Sequence, residues 1–360
     1  MTLELATDEA LVRSAYEQLS SLLPARWVLE YLPKASGNND VFVISDPGGV
    51  TQRLRIDARR GTTPAELQRT YSTSMPVSEG QRDTTTVVVA PYLSPRSREV
   101  LAASDIGYFD LTGNALISLS EPGLTLRTNG AQRNPVPLAR PDRGIAGRAA
   151  GRIIRALVEN EPPYSVTDLA GLAEVSLGYC SRTLQALERE ALVRRDGRGT
   201  TLSADWSGLL RRRGAAVPLF DPRRTTSWIA RTGVATTLEA FSAIDPTTYA
   251  VTGSFAAARI RAVAAPVGLT VYAEQPEAVA ETLDLLPATE GANVRLVVPG
   301  KAGEFTGTQV EDGRTWVAPS QLVIDCLGGP GRMPQEGEAV LQWMIENETD
   351  WRVSSIQEAI

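Results

Sequence analysis

The sequence contains no histidine. That absence excludes a Ser-His-Asp triad, a Cys-His dyad and a zinc site built on imidazole. Cysteine is almost as scarce. Cys180 and Cys326 stand far apart and neither belongs to a CxxC pair, which rules out a disulfide framework. Lysine occurs only at Lys34 and Lys301, so lysine-dependent catalysis has two candidates and arginine carries nearly all the positive charge. A GC-rich genome is the plain reading of that bias. Long apolar runs are missing too. None approaches the ~18 residues of a membrane helix. The opening "MTLELATDEALVRSAYEQL" has neither the basic start nor the apolar stretch of a signal peptide. The expectation is a cytoplasmic protein with no membrane partner, no cofactor, no metal and no catalytic residue.

What is present is ordinary in bulk and uneven in distribution. A length of 360 residues suggests two or three domains, and 42% hydrophobic with 22% charged residues is normal for a globular chain. The net charge of −6 argues against a general nucleic-acid binder. From Arg143 to Arg213, however, 12 Arg face 8 Asp or Glu, a local surplus of four that leaves the rest of the chain at −10. A basic segment inside an acidic protein is the pattern of a local anion-binding module.

Three parts follow along the chain. Residues 1–133 read as helix, strands, helix, strand, helix, strand, an α/β domain with a mixed sheet. Its helices carry legible starts. Thr63 with Glu66 three residues on is a capping box, and Ser94 precedes Pro95 at a first helical position. "NPVPLARPDRG" at 134–144 reads as a linker. Residues 145–204 read as three helices and a hairpin. Residues 205–248 read as a connection, within a C-terminal α/β domain spanning 205–360. Its strands are "LTVYAE" and "NVRLVVP", and its helices fall at 254–263, 276–283, 319–327 and 335–347.

The central segment carries the chemistry. Ser165 and Asp168 open its second helix as a capping box, and Ser176 caps the third after a short turn, as a helix-turn-helix requires. In that third helix Cys180, Leu184 and Leu187 recur at i, i+4 and i+7 and should face inward. Gly178, Tyr179, Arg182, Gln185 and Arg189 fall on the outer arc. Arg pairs with guanine and Gln with adenine in the major groove. Gly178 would let backbone approach a phosphate at a helix N-terminus. Asp196-Gly197 signals a tight hairpin, which Arg194, Arg195 and Arg198 would decorate for phosphate contact. Tyr179, Arg182 and Gln185 are the expected base contacts. Arg189, Arg194, Arg195 and Arg198 are the expected phosphate contacts, with Ser176 and Gly178 completing the surface. The plainer alternative is a three-helix bundle with a solvated polar face, or a winged helix that binds protein.

The stretch "YSVTDLAGLAEVSLGYCSRTLQALEREALVRRDGRG" resembles the winged helix of actinobacterial AbiEi-family antitoxins of type IV toxin–antitoxin systems. "VVVAPYLSPRSREVLAASDIGYFDLTGNALISL" resembles their N-terminal domain. "YAVTGSFAAARI", "EGANVRLVVPG" and "SQLVIDCLGGPGRMPQEGEAVLQWM" resemble their C-terminal domain. The resemblance implies a winged helix-turn-helix regulator that binds double-stranded DNA and represses its own promoter. It also implies functional antagonism of a nucleotidyltransferase-like toxin. A homodimer on an inverted repeat fits this arrangement.

The first domain further resembles a restriction-endonuclease-like fold. Active members hold Mg²⁺ with an Asp and an acidic-x-Lys pair. Here the matching strand gives Asp57, Ala58 and Arg59, and Arg is a poor substitute for that Lys. Lys34 precedes the strand, and Asp40 and Asp46 lack a diagnostic context. The domain is therefore expected to be inactive, with a metal-dependent nuclease targeted by the winged helix, or an interaction scaffold, as alternatives. "YFDLTGN" at 108–114 is expected to form a turn around Gly113, with ligand binding by Asp110 and Asn114 the less favoured reading. "TGSFAAARI" resembles the Gly-Ser helix start of nucleotidyltransferases, but the next strand supplies a single acid, Glu274, so a scaffold is expected there. Asp325 is expected to be a satisfied structural carboxylate.

Overall fold

The computed structural model describes residues 7–33, 39–71, 84–136, 145–300 and 304–354. Most of the expected linker, Lys34 and Lys301 lie outside the described residues. The chain divides into two compact units, Met1–Pro141 with Arg189–Ala191 and Asp142–Glu188 with Leu192–Ile360. Both mix helices with parallel and antiparallel strands, and twelve α-helices fall among the described residues. No described helix is long and apolar enough to cross a membrane.

In the first unit, helix α1 (Asp8–Leu22) precedes strands β1 (Val28–Leu32), β2 (Asp40–Ser45) and β3 (Thr51–Ala58). Then come α2 (Pro64–Tyr71), β4 (Thr84–Ala90), α3 (Pro95–Ala103), β5 (Gly107–Asp110), β6 (Ala115–Leu119) and β7 (Leu124–Thr128). All seven strands form one sheet in chain order. β3, β4 and β5 run parallel, joined by α2 and α3, while the flanking strands are antiparallel. The run Val87–Ala90 explains this centre. Val87 and Val89 pack with α1 on one face, and Val88 and Ala90 pack with α2 and α3 on the other. A strand covered on both faces can be apolar at every position. Along β3, by contrast, Leu54 and Ile56 are buried and Arg53 and Arg55 exposed, the alternation of a strand with one wet face. The Thr63–Glu66 box forms in both directions, at 2.8 and 3.3 Å.

The second unit begins with α4 (Arg148–Glu159), α5 (Val166–Leu172) and α6 (Leu177–Arg189). A two-stranded ribbon follows, β8 (Val193–Arg195) paired antiparallel with β9 (Thr201–Ala204). The stretch expected to be a connection instead contains α7 (Trp206–Gly214), β10 (Thr225–Ile229) and α8 (Val234–Ala240). Asp205 caps α7 by accepting from Gly208 N at 2.9 Å.

Beyond lie β11 (Tyr249–Thr252), α9 (Gly253–Arg261), β12 (Leu269–Ala273), α10 (Pro276–Thr282), β13 (Leu286–Pro287) and β14 (Val294–Val297). β15 (Gln309–Glu311), β16 (Arg314–Trp316), α11 (Pro319–Leu327) and α12 (Met333–Glu346) complete the unit. The sheet order is β13-β10-β14-β12-β11-β16-β15. Every residue of β11 and β12 is buried, as expected of central strands.

One hydrophobic core runs from Ile153, Leu184 and Leu187 through Trp206 and Leu210 to Val251, Val323 and Met344. The boundary expected at 204–205 therefore falls inside a single packed body. Trp206 stacks edge-on against Trp351 with ring centres 4.9 Å apart, tying α7 to the chain's last described turn.

Candidate nucleic-acid interface

Three helices and the ribbon set the candidate surface. The start of α5 is fixed by Ser165, whose Oγ accepts from Asp168 N while the Asp168 carboxylate accepts from Ser165 N, both at 3.1 Å. The turn to α6 spans residues 173–176 and includes Glu174 in the left-handed region at φ 49°. Arg152 of α4 braces that turn by donating to the carbonyls of Ala173 and Glu174 at 2.8 and 2.9 Å. Ser176 starts α6, with its carbonyl accepting from Cys180 N at 3.0 Å and its hydroxyl from Tyr179 N at 3.4 Å.

Along α6 the inward set is as the spacing predicts. Cys180, Leu184 and Leu187 are fully buried, and Thr183 joins them. Burial pushes the Cys180 thiol up to about 11, so it stays protonated near neutrality. Gly178, Arg182, Gln185 and Arg189 are exposed on the opposite side. Tyr179 is placed differently from the other outer-arc residues. It is half-buried against the core, and its hydroxyl sits 3.7 Å from where a Cβ on Gly147 would lie, so its ring turns toward the start of α4.

The ribbon's turn also differs from a two-residue Asp-Gly hairpin. Asp196 Oδ1 accepts from the backbone N–H of Arg198 and Thr200, both at 2.9 Å, and the positive φ falls on Gly199 (90°), not on Gly197. A side chain that satisfies its own loop builds a wider Asx-type turn. Arg194 and Arg198 project from this ribbon into solvent. Arg195 does not. Its side chain folds back onto α6 and pairs with Glu188 at 2.6 Å.

The basic surplus of this segment is thus divided. Arg152 holds the turn, Arg155 pairs with Glu159 at 2.8 Å and Arg195 with Glu188. Among the described residues, Arg182, Arg194 and Arg198 have no carboxylate partner. Arg148 on α4 shares that state, and sequence reasoning placed no role on it.

The other candidate positions are occupied by structural bonds. Asp57 at the end of β3 receives the hydroxyl of Tyr71 and an ion pair from Arg59 at 2.8 Å. Asp40 accepts from Tyr31 at 2.9 Å, and Asp46 closes its own turn through Val50 N at 2.8 Å. Among the described residues no cluster of three or more Cys, Asp or Glu side chains is arranged to hold a metal ion.

In "YFDLTGN" the turn reading matches the geometry. Asp110 is fully buried and accepts from Leu93 N, Thr112 N and Oγ1, and Asn114 N and Nδ2, while Gly113 adopts φ 98°. Arg98 donates to Asn114 at 2.6 Å and completes the network.

At the start of α9, Gly253 has φ 68° and Ser254 donates to the buried Glu336 at 2.6 Å. Asp325 is buried and satisfied by Thr252 (2.6 Å), Gln321 (2.7 Å) and Tyr272 (2.8 Å). Compared with family models, curated proteins and solved structures, the chain matches none.

Proposed function

We propose that residues 145–204 form a winged helix-turn-helix that binds double-stranded DNA, with α6 in the major groove and the ribbon on the adjacent backbone. One observation carries this reading. The exposed face of α6 and the ribbon tip present Arg182, Arg194 and Arg198 without carboxylate partners among the described residues, beside the exposed Gln185 and Arg189. Guanidinium groups without carboxylate partners can neutralise phosphates without first breaking an ion pair. Arg182 and Gln185 lie on the exposed face of α6, about one and two turns in from its start, within reach of base edges. Tyr179 contributes to the packing that orients α6 more than to readout.

The resemblance to AbiEi-family antitoxins sharpens the reading to a repressor of its own promoter, whose companion activity is functional antagonism of a nucleotidyltransferase-like toxin. The first unit, of restriction-endonuclease-like type, serves as an inactive scaffold, since Asp57 is engaged by Arg59 and Tyr71.

The test is retention of genomic fragments by the full chain, followed by footprinting. Arg182→Ala should relax preference at one base pair by ~1–3 kcal/mol. Arg198→Ala should weaken binding on all sequences alike and lower the log–log salt slope by about one. Binding untouched by the double substitution would overturn the assignment. Failure to retain any fragment at low salt would favour a protein-binding role.

A further inference from the structure

The second unit encloses a polar cavity of about 270 Å³ between α4, α7, α11, Gly300 and Glu304. That size lies just under the range of about 300–1,000 Å³ typical of small-molecule sites. Four arginines line it: Arg148, Arg155, Arg213 and Arg224. Two are already neutralised, Arg155 by Glu159 and Arg224 by Glu304 at 3.0 Å. The lining carboxylates are also engaged. Glu304 additionally accepts from Gly300 N at 2.8 Å, Asp221 accepts from Arg223 N at 3.0 Å, and Asp325 carries its three donors.

Arg213 is the exception. It is only 6% exposed, yet among the described residues it has no carboxylate partner. Its Nη1 donates to the carbonyls of Ile145 and Gly147, while Nε and Nη2 meet no acceptor among the described residues. A buried, unpaired guanidinium is costly, and an apolar side chain of similar volume would serve packing better. Burial accordingly depresses the Arg213 pKa, against smaller opposing effects of the nearby Glu304 carboxylate and the Tyr179 hydroxyl.

The backbone has also made room for it. Gly151 lies inside α4, where glycine costs about 1 kcal/mol relative to alanine. A Cβ there would stand 2.7 Å from Arg213 Nη2. Arg148, one turn earlier on the same helix, is exposed at the cavity's edge and unpaired among the described residues.

We propose that this cavity binds a small oxyanion, a carboxylate or phosphate group on a compact molecule, held between Arg213 inside and Arg148 at the edge. A planar guanidinium with two unused donor nitrogens matches either group, and the anion would give Arg213 a directly hydrogen-bonded counter-charge, which the more distant Glu304 does not. The site stands independently of DNA recognition, and its test uses no DNA.

The full chain is titrated calorimetrically with inorganic phosphate and separately with succinate, at matched ionic strength. Saturable one-to-one binding of at least one probe is expected, and the two titrations distinguish a phosphate site from a carboxylate site. Arg213→Met should weaken binding at least tenfold. Gly151→Ala, which intrudes on the guanidinium, should weaken it too. Arg148→Ala, at an exposed position that packing does not need, should weaken it several-fold and keeps the test decisive if the buried variants fold poorly. No saturable binding of either probe overturns the proposal, as does unchanged affinity in Arg148→Ala.

Discussion

Arg195 on the ribbon and Glu188 on α6 are joined through a single carboxylate oxygen, with Nη2 donating at 2.6 Å and Nε at 3.2 Å. The pair ties the ribbon to the helix it follows and removes one cation from the proposed DNA face. Arg194 and Arg198, a few residues away on the same ribbon, keep theirs.

This division makes the ribbon's arginines separable by experiment. Arg195→Ala should leave the salt slope of DNA binding unchanged, because its charge is already compensated, while Arg198→Ala lowers it. Glu188→Ala should act in the opposite direction, freeing Arg195 for a phosphate and steepening the slope by about one. The pair is part-exposed, so Glu188→Ala should cost no more than about 1 kcal/mol of stability. Fluorescence anisotropy across a salt series with one operator fragment checks all three. Equal slopes for Arg195→Ala and Arg198→Ala would contradict the division.

The end of β3 yields a prediction about chemistry. Asp57 is held by Arg59 and by Tyr71, and burial together with the Asp57 hydrogen bond pushes the Tyr71 hydroxyl well above its ordinary pKa. Arg59 cannot give up its proton and stands at the position that the nuclease motif, which this strand resembles in sequence, gives to a lysine. Plasmid incubated with the protein and Mg²⁺ or Mn²⁺ should stay intact, with Asp57→Ala indistinguishable from the parent. Tyr71→Phe should cost about 1 kcal/mol in urea unfolding, the net value of one hydrogen bond. Nicking that Asp57→Ala abolishes would restore the nuclease reading.

Asp110 should be among the least replaceable residues of the first unit. It accepts five donated hydrogen bonds at a fully buried position. Asp110→Ala would strand those donors, and breaking such a network costs about 3–5 kcal/mol. Calorimetry should show a lowered melting temperature, while Asn114→Asp, which places a second carboxylate beside the first, should also destabilise. A mild effect of Asp110→Ala would reopen the ligand-binding reading of this turn.

Legibility in the sequence followed the range of the interaction. The boxes at Thr63–Glu66 and Ser165–Asp168 span three residues, and both form as read. Cys180, Leu184 and Leu187 share one helical face, and periodicity found them. β1 (VLEYL) and β7 (LTLRT) escaped because short strands near a sheet's edge carry little periodic signal.

α7 escaped because its "RRR" run reads as surface charge. Yet Arg213 turns inward beneath Gly151, while Arg211 pairs with Glu338 at 2.8 Å across more than a hundred residues. The fates of Arg195 and Tyr179 were equally hidden, since a wing arginine and an outer-arc tyrosine look the same in sequence whether they point out or fold back. The hairpin turn was misjudged for a local reason. The Asp196 side chain satisfies the loop itself and moves the glycine requirement from 197 to 199.

Asp325 gives the sharpest pH dependence. Complete burial, with some repulsion from Glu304, outweighs the donors from Thr252, Tyr272 and Gln321 and pushes its carboxyl from an ordinary 3.8 up to about 7. Between these values the folded chain holds a proton that the unfolded chain has released. Stability from this group therefore falls as pH rises from about 4 to about 7 and levels off above. At 1.36 kcal/mol per unit, roughly three units set an upper bound of about 4 kcal/mol across that window. Asp325→Asn keeps a neutral side chain of the same shape and should erase the slope. The melting temperature of the parent minus that of Asp325→Asn should then decline steadily from pH 4 to pH 7. A flat difference would mean that Asp325 is ionised throughout, held by its three donors, and a rising one would mean that its pKa is depressed.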